Sequence, residues 1–146
     1  MPRQFVVAFD ARLPRWAREA RAEYLERMPR GFETECLELK AERMKRLRAR
    51  LPRGTRIVAL DEHGERLATA QFAKRLDGWR AAGEAIAFVI GGAEGLDAEF
   101  KREAEHLLQL SALTLPHALA QVLLCEQLYR AAALLQGHPY HRGSLC

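Results

Sequence analysis

The sequence predicts an α/β domain with a mostly parallel sheet and flanking helices. Short apolar runs at Gln4–Phe9, Ile57–Leu60 and Ile86–Ile90 alternate with amphipathic segments of helical length. Strands that alternate with helices along the chain are typical of a parallel sheet covered by helices on its faces. Ligands of such sheets bind beyond the carboxyl ends of the strands. We therefore expect the functional residues to follow the apolar runs.

The first part of the chain predicts a central strand, a helix and an edge strand. Gln4–Phe9 is apolar on both faces, as a central strand is. Pro14 opens the helix, because the first helical position does not need the N–H that proline lacks. Phe32–Leu39 alternates weakly between apolar and polar residues, which fits an edge strand. The predicted buried stripe of the helix consists of Trp16, Ala20, Tyr24 and Met28.

Lys40–Arg56 is the most basic part of a chain whose net charge is +4. Met44, Leu47 and Leu51 recur at helical spacing, so the segment is predicted to be an amphipathic helix with a narrow apolar seam. Its lysines and arginines either form a solvated surface or contact the phosphates of a nucleic acid. The pattern leaves both interpretations open.

The second part predicts further strands and helices. Ile57–Leu60 leads into a turn of four residues, and Thr69 is the predicted N-cap of the following helix. After the strand Ile86–Ile90 comes a short charged helix, Leu96–His106, with Asp97 as its N-cap. Leu107–Leu115 is predicted to be the last strand.

Ala118–Gln136 is apolar around nearly its whole circumference. A helix of this kind is buried on more than one side. In a small domain one side faces the sheet, and the remaining apolar surface is a liability unless a second subunit covers it. We therefore predict a homodimer formed through this helix, in which Glu126 and Arg130 are spaced for an ion pair.

The composition fits one domain, residues 1–146, in a reducing cytosol. With 146 residues, of which 49% are hydrophobic and 29% charged, the chain can bury a core without disulfides. Its apolar runs are too short to span a membrane, and its N-terminus has no signal-peptide pattern. The three cysteines lack CxxC spacing, and His138 and His141 have no further ligand nearby. We therefore expect no disulfide framework and no metal site.

The glycine-rich segment Gly91–Gly95 (GGAEG) directly follows a buried strand. It lacks the GxGxxG fingerprint of dinucleotide-binding enzymes and the GK[ST] of a Walker A loop, and the chain has no GxSxG nucleophile elbow. A Rossmann-type nucleotide enzyme is therefore disfavoured. The residues alone predict an α/β dimer with a ligand site at the strand ends. The basic charge and a tail rich in tyrosine, histidine and arginine are compatible with a nucleic acid partner.

Five motifs together resemble one family. They are LDEHGERLATAQFA at 60–73, FVIGGAEG at 88–95, LSALTLPH at 110–117, EQLYRA at 126–131 and HPYHR at 138–142. From Phe5 to Arg142 the chain resembles the small bacterial SPOUT-class methyltransferases known as RlmH. The resemblance implies methyl transfer from S-adenosylmethionine to N3 of pseudouridine 1915 in 23S ribosomal RNA, on the assembled 70S ribosome.

The resemblance also implies a fold that the strand–helix pattern does not. SPOUT proteins thread their C-terminal segment through a preceding loop to form a deep trefoil knot, an exception to the rule that chains are unknotted. They dimerise through the C-terminal helix, here 118–136. We expect leucines to pack the adenine and glycines to admit the rest of the cofactor closely. The implied contacts with S-adenosylmethionine are Leu60, Gly91, Leu110, Ser111, Ala112, Leu113, Thr114 and Leu115.

For the reaction, the resemblance points to the C-terminal tail. The imide N3 of pseudouridine is nucleophilic only as its proton leaves, so a base or an anion-stabilising group is needed. The candidate catalytic residues are Tyr140, His141 and Arg142, which we expect to reach across the dimer to the partner's cofactor. His141 would accept the proton, and Arg142 would hold a phosphate or a developing oxyanion. The residues expected to position the ribosomal RNA are Arg12, Arg15 and the basic segment 43–53.

The chain departs from the family pattern at four places. Lys40–Gly54 is shorter than the Gly- and Lys-rich stretch of many members, and Gln121 stands where many have arginine. Ala93 replaces the usual proline of the glycine-rich segment, and Gly143–Cys146 extends past the usual end. The alternative to an enzyme is a noncatalytic RNA- or ribosome-binding dimer that keeps the knot. The intact tail favours catalysis, because a pure binding protein would not need it.

Overall fold

The computed structural model describes residues 3–10, 12–138 and 140. Five strands alternate with helices along the chain, as predicted. The strands are β1 (Gln4–Phe9), β2 (Thr34–Leu39), β3 (Arg56–Arg66), β4 (Ile86–Ile90) and β5 (His106–Gln109). The α-helices are α1 (Arg15–Glu26), α2 (Thr69–Ala81), α3 (Ala98–Glu103) and α4 (His117–Leu135), and a 3₁₀ helix spans Ala41–Arg50.

The strands form one sheet in the order β2-β1-β4-β3-β5, and every pair of neighbours is parallel. The predicted parallel sheet is therefore confirmed. β1 and β4 lie inside the sheet and every one of their residues is buried, whereas β2 is an edge strand, as predicted. Because the strands run in one direction, the segments that follow them meet along one edge, where ligands of such sheets bind.

Helical layers cover both faces of the sheet. On one face α1, α2 and α4 pack on a core that includes Val6 and Phe88. On the other face the 3₁₀ helix and α3 cover Val7 and Val89. Because successive residues of a strand point to opposite faces, strands that are apolar at every position fit between two helical layers.

The predicted buried stripe of α1 is wrong at Trp16, whereas Tyr24 and Met28 are half-buried against the core. Trp16 has 54% of its surface exposed, and the buried residues of the helix are Ala17 and Arg21. The pattern misled because it did not include an arginine among the buried residues. Arg21 is 8% exposed because its guanidinium donates to Gln121 and to Glu38, at 2.9 and 3.0 Å. These bonds turn the helix so that the tryptophan faces outward.

The basic segment is helical, but as a 3₁₀ helix with a kink at Arg46. Met44, Leu47 and Leu51 are buried against the sheet, so the predicted apolar seam is confirmed. The charged side chains on the rest of this segment face solvent.

Several predicted boundaries are corrected. β3 continues through the predicted turn to Arg66, and the hydroxyl of Thr69 donates to Gln127 at 2.8 Å instead of capping α2. Asp97 is the N-cap residue of α3 by position, yet its side chain makes no capping hydrogen bond. The last strand ends at Gln109, because residues 110–116 leave the sheet to form an irregular segment before α4.

The pairing of β3 with β5 is interrupted by a bulge. Leu108 pairs with Leu60 and again with Glu65, so residues 61–64 bulge out between two positions that pair with the same residue of β5. At this bulge, a Cβ atom on Gly64 would lie 2.6 Å from the backbone nitrogen of Leu108. Glycine is therefore required here by the close approach of two backbones.

α4 confirms the prediction of a long apolar helix. It packs between α1 and α2, and its predicted ion pair is present, with Arg130 Nη2 2.7 Å from Glu126 Oε2. By length and composition alone α4 could cross a membrane, but half of its most apolar window is buried inside the domain, as in the core helix of a globular protein.

We expect Gly64→Ala to lower the free energy of unfolding by about 2 kcal/mol, because the added methyl group must push apart two packed backbones. Urea unfolding followed by circular dichroism measures the change. The matched control is Gly78→Ala within α2, where an added Cβ has no neighbour within 4 Å. That control should raise stability by about 0.5–1 kcal/mol, since alanine is the better helix former. Equal free energies of unfolding for the two variants would contradict the close approach of the two backbones at Gly64.

Candidate functional site

A cleft of about 820 Å³ opens at the carboxyl edge of the sheet. Three segments line it: residues 60–63 of β3, residues 90–96 after β4, and residues 109–117 between β5 and α4. Its volume lies in the range of small-molecule and cofactor sites. The cleft is therefore large enough for a nucleoside-sized ligand.

All eight residues that were predicted to contact a cofactor line this one cleft. Leu60 comes from the end of the buried part of β3, Gly91 follows β4, and the segment Leu110–Leu115 precedes α4. About fifty residues separate the first from the last in the sequence, and the order of the strands brings them together. The structure thus groups the predicted residues around a single space.

The glycine-rich segment forms a tight turn at the cleft wall. The N–H of Gly95 donates to the carbonyl of Gly92 at 3.0 Å, and Gly95 has a φ of 75°. A Cβ on Gly91 would lie 2.5 Å from the carbonyl carbon of Gly95, and one on Gly92 would lie 2.8 Å from the carbonyl oxygen of Phe9. The protein's own packing therefore requires these two glycines, as a tight turn does, whereas the resemblance implied close approach of the cofactor as the reason.

The segment Leu110–Pro116 supplies the opposite wall. The hydroxyl of Ser111 accepts a hydrogen bond from the N–H of Leu113 at 3.0 Å, which holds a local turn. Leu113 is 77% exposed, and with Trp16 it is one of two large apolar side chains exposed in the described part of the chain. An exposed leucine inside a cleft is available to pack on an apolar ligand surface.

An ion pair between Asp61 and Lys101 also lines the cleft. The sequence pattern had placed Asp61 in a turn after a strand. Lys101 Nζ donates to Asp61 Oδ1 at 3.0 Å, and the N–H of His63 donates to Asp61 Oδ2 at 3.1 Å. Burial raises the pKa of Asp61, but these hydrogen bonds and the charge of Lys101 outweigh it, so the pKa lies below its usual value. The sequence could have indicated that Asp61 lies at the site, because this residue directly follows the buried run Ile57–Leu60.

The predicted catalytic residues divide into two groups. Tyr140 lies against α4, where its hydroxyl donates to Glu126 at 2.9 Å, and it is not among the residues that line the cleft of this protomer. His141 and Arg142 lie outside the described residues. Burial, together with the nearby carboxylate of Glu126, raises the pKa of the Tyr140 hydroxyl.

Gln121, the residue that departs from the family pattern, is fully buried beside the cleft wall. Its side-chain oxygen accepts from Arg21, whose guanidinium also binds Glu38. Gln121 therefore meets a guanidinium in the interior, which α1 supplies. The side-chain nitrogen of Gln121 is buried without a hydrogen-bond partner among the described residues.

Comparison with known proteins gives the family. Residues 3–141 match the family model described as "Predicted SPOUT methyltransferase". The chain is 47% identical to the ribosomal RNA large subunit methyltransferase H of Dechloromonas aromatica, over 94% of this chain and 96% of that protein. It is 46% identical to the protein of the same name from Laribacter hongkongensis, over 94% and 97% of the two chains.

Solved structures with low sequence identity share the fold. A probable methylase family protein from Haemophilus influenzae superposes with a TM-score of 0.67 at 13% identity, over 95% of this chain and 70% of that chain. An rRNA methyltransferase from Sinorhizobium meliloti, crystallised with AdoMet, gives a TM-score of 0.55 at 16% identity, over 89% and 57% of the two chains. With its parallel sheet, its strand-end cleft and a match that spans residues 3–141, this chain belongs to the SPOUT methyltransferase family.

Proposed function

We propose that this protein is an S-adenosylmethionine-dependent methyltransferase of large-subunit ribosomal RNA, active in the cytoplasm. The observation that carries the proposal is its 47% identity, over nearly the whole of both chains, to a ribosomal RNA large subunit methyltransferase H. The cleft supports it, because the eight residues expected to hold the cofactor surround one space of suitable size. The cleft lies where a parallel sheet binds its ligands.

The cleft offers S-adenosylmethionine apolar and polar surfaces. Leu60, Leu113 and Leu115 would pack against the adenine ring, and backbone groups of 110–115 would bind its edge. The turn after Gly91 would adjoin the ribose and methionine parts. When bound, the cofactor supplies an activated methyl group. The fit is supported by Leu113, whose side chain is exposed within the cleft.

We assign the proton chemistry to the tail. The target is N3 of pseudouridine 1915, and a base must remove its imide proton as the methyl group is transferred. His141 accepts that proton, and Arg142 holds a phosphate or the developing uracil oxyanion. Tyr140 belongs to the same tail. These groups reach the cofactor of the partner subunit, because Tyr140 does not line the cleft of its own protomer.

We also propose the deep trefoil knot. It is supported by the bulge of residues 61–64, whose backbone packs closely against that of β5 before the chain leads to α4. It is also supported by the membership of the chain in the SPOUT family, with which the resemblance associates a knot. An experimental chain trace in which residues 110–135 do not pass through the loop closed by β3 would contradict the knot.

A second copy of this chain would cover the outer face of α4. This face carries Leu119, Val122 and Leu123, which are only half-buried in the single chain. Trp16 of the neighbouring helix α1 is 54% exposed on the same side of the sheet. Apolar side chains left partly exposed on two packed helices favour a partner, and a self-complementary dimer supplies one.

The RNA would lie on the basic surface beside the cleft. Arg12 and Arg15 precede and begin α1, and the side chain of Arg15 is 85% exposed although it pairs with Glu19 on the helix surface. The charged residues of the segment 43–53 face solvent, apart from Arg48, which pairs with Glu105. Exposed arginines of this kind bind phosphates and make affinity depend on salt.

Methyl transfer from labelled S-adenosylmethionine tests the activity. We expect label in 70S ribosomes from a strain that lacks the modification, and none in ribosomes that already carry it. Label in free 23S RNA as well would show that the assembled particle is not required.

A chain truncated after Gly137 should bind cofactor and dimerise yet transfer no label. A protein that binds ribosomes without any transfer would be the noncatalytic alternative.

Leu113→Ala tests the cofactor cleft. We expect about a tenfold loss of affinity for S-adenosylmethionine by calorimetry, since burial of a leucine side chain is worth about 1.5–3 kcal/mol. The unfolding midpoint should not change, because this leucine is exposed in the free protein. Unchanged affinity would place the adenine elsewhere.

Trp16→Arg tests the dimer. We expect sedimentation to show a monomer, because the charge would be buried unpaired at the interface. The matched control is Leu113→Arg, which places the same charge on the other exposed apolar side chain, inside the cleft. This control should remain a dimer. A wild-type chain that sediments as a monomer at micromolar concentration would contradict the interface.

A further inference from the structure

The C-terminal tail folds back along α4. After Leu135 the chain reverses through Gly137, which has a φ of 71°. The N–H of His138 donates to the carbonyl of Ala133 at 2.8 Å, and the N–H of Gly137 donates to that of Leu134 at 3.1 Å. Tyr140 thereby returns to the level of Glu126 in the middle of the helix.

The ring of Tyr140 is enclosed by aromatic and cationic groups. It meets the ring of Tyr129 edge to face, with centroids 4.8 Å apart. The guanidinium of Arg130 lies 4.8 Å from its centroid, and that of Arg27 lies 5.8 Å away. Edge-to-face aromatic contacts and cation–π contacts are both attractive, so several together hold the ring in one place.

Glu126 is the centre of this arrangement. Its side chain is 12% exposed, and its carboxylate accepts from Arg130 at 2.7 Å, from Gln127 at 2.7 Å and from the Tyr140 hydroxyl at 2.9 Å. A carboxylate with so little exposure needs such partners, because removing it from water is otherwise costly. The tail thus supplies one of the bonds that satisfy it.

The hydroxyl of Tyr140 acts as a donor in this geometry. It gives its proton to a carboxylate, and burial together with that negative charge raises its pKa. The phenol is therefore protonated at neutral pH, and it cannot accept a proton from the substrate. Its place in the structure is that of an anchor.

The anchor is connected to the wall of the cofactor cleft. Gln127, which donates to Glu126, accepts from the hydroxyl of Thr69 at 2.8 Å. Gln127 and Thr69 line a second hollow of about 300 Å³ together with Leu110 and Ser111, which also line the cleft. One set of hydrogen bonds therefore runs from the tail to Thr69, beside the hollow that Leu110 and Ser111 also line.

We propose that Glu126 is a positioning residue and that, with Arg130, it clamps the tail through Tyr140. The clamp fixes the point from which residues 141 and 142 extend, so it sets where their side chains can act. Tyr140 is then the anchor of the tail and not its base. The inference rests on the proposed function, because it assigns the roles of residues in that reaction.

A double-mutant cycle tests the clamp. Tyr140→Phe keeps the ring contacts and removes one hydrogen bond, so we expect kcat to fall about fivefold. Glu126→Ala should lower kcat further, with the affinity for S-adenosylmethionine unchanged within about twofold. Because both variants remove the same bond, the double variant should be no slower than Glu126→Ala alone. Glu126→Gln keeps an acceptor oxygen, so it should recover part of the rate.

Two results would overturn the proposal. Effects that multiply in the double variant would show that the two side chains act independently. A loss of about 100-fold or more in Tyr140→Phe, with a change in the pH–rate profile, would make Tyr140 the base. The matched control is Glu84→Ala, which breaks the half-buried pair of Glu84 with Arg56 away from the tail and the cleft. It should leave kcat within about twofold.

Hydrogen exchange of the peptide 136–146 tests the clamp without any turnover. We expect faster exchange in Glu126→Ala and the wild-type rate in Glu84→Ala, because only the first variant releases the tail. Equal exchange in both variants would overturn the clamp even in an active enzyme. If the wild-type chain transfers no methyl group, the proposed function fails, and this measurement still decides whether Glu126 holds the tail.

Discussion

The close approach of two backbones at Gly64 and Leu108 is the constraint on which the rest of the site depends. Leu108 pairs with two positions of β3, and the bulge between them fits against β5 only because position 64 has no side chain. This arrangement fixes β5 beside β3 and sends the next residues, Leu110–Leu115, toward Leu60. A similar close approach at Gly91 and Gly92 fixes the turn after β4. The walls of the cleft are thus set by backbone contacts, which side-chain changes elsewhere would disturb little.

Buried charged side chains fix the positions of α1 and α4, two of the helices that cover the sheet. Arg21, held by Gln121 and Glu38, sets the rotation of α1 and leaves Trp16 outside. Glu126, held by Arg130 and Gln127, binds the phenol of Tyr140. In both places an ionised group is taken from water only because several donors or acceptors surround it. Leaving such a group unpaired costs free energy, so these contacts are specific. They hold α4 against α1 and against the tail.

Much of the fold follows from local patterns in the sequence. Runs such as Gln4–Phe9 and Ile86–Ile90 are apolar on both faces, and only a central strand between two helical layers accommodates that. The errors arose where a local pattern competed with a distant partner. The apolar residues after Gln109 resemble a strand, but no neighbouring strand pairs with them. The stripe on α1 was misjudged because the partners of Arg21 lie up to 100 residues away.

The sequence by itself determined the class of fold and the family, and it predicted eight residues that line a single cleft, because these depend on periodicity and on motifs that stay contiguous in the chain. The motif at 110–117 can be recognised from its own residues, without knowing what they contact. Only the tertiary structure decided what those residues face. It showed that the glycines serve the protein's own packing and that an Asp61–Lys101 pair stands at the cleft wall. It also placed Tyr140 on Glu126. Each of these depends on distances between segments far apart in sequence, which no local pattern encodes.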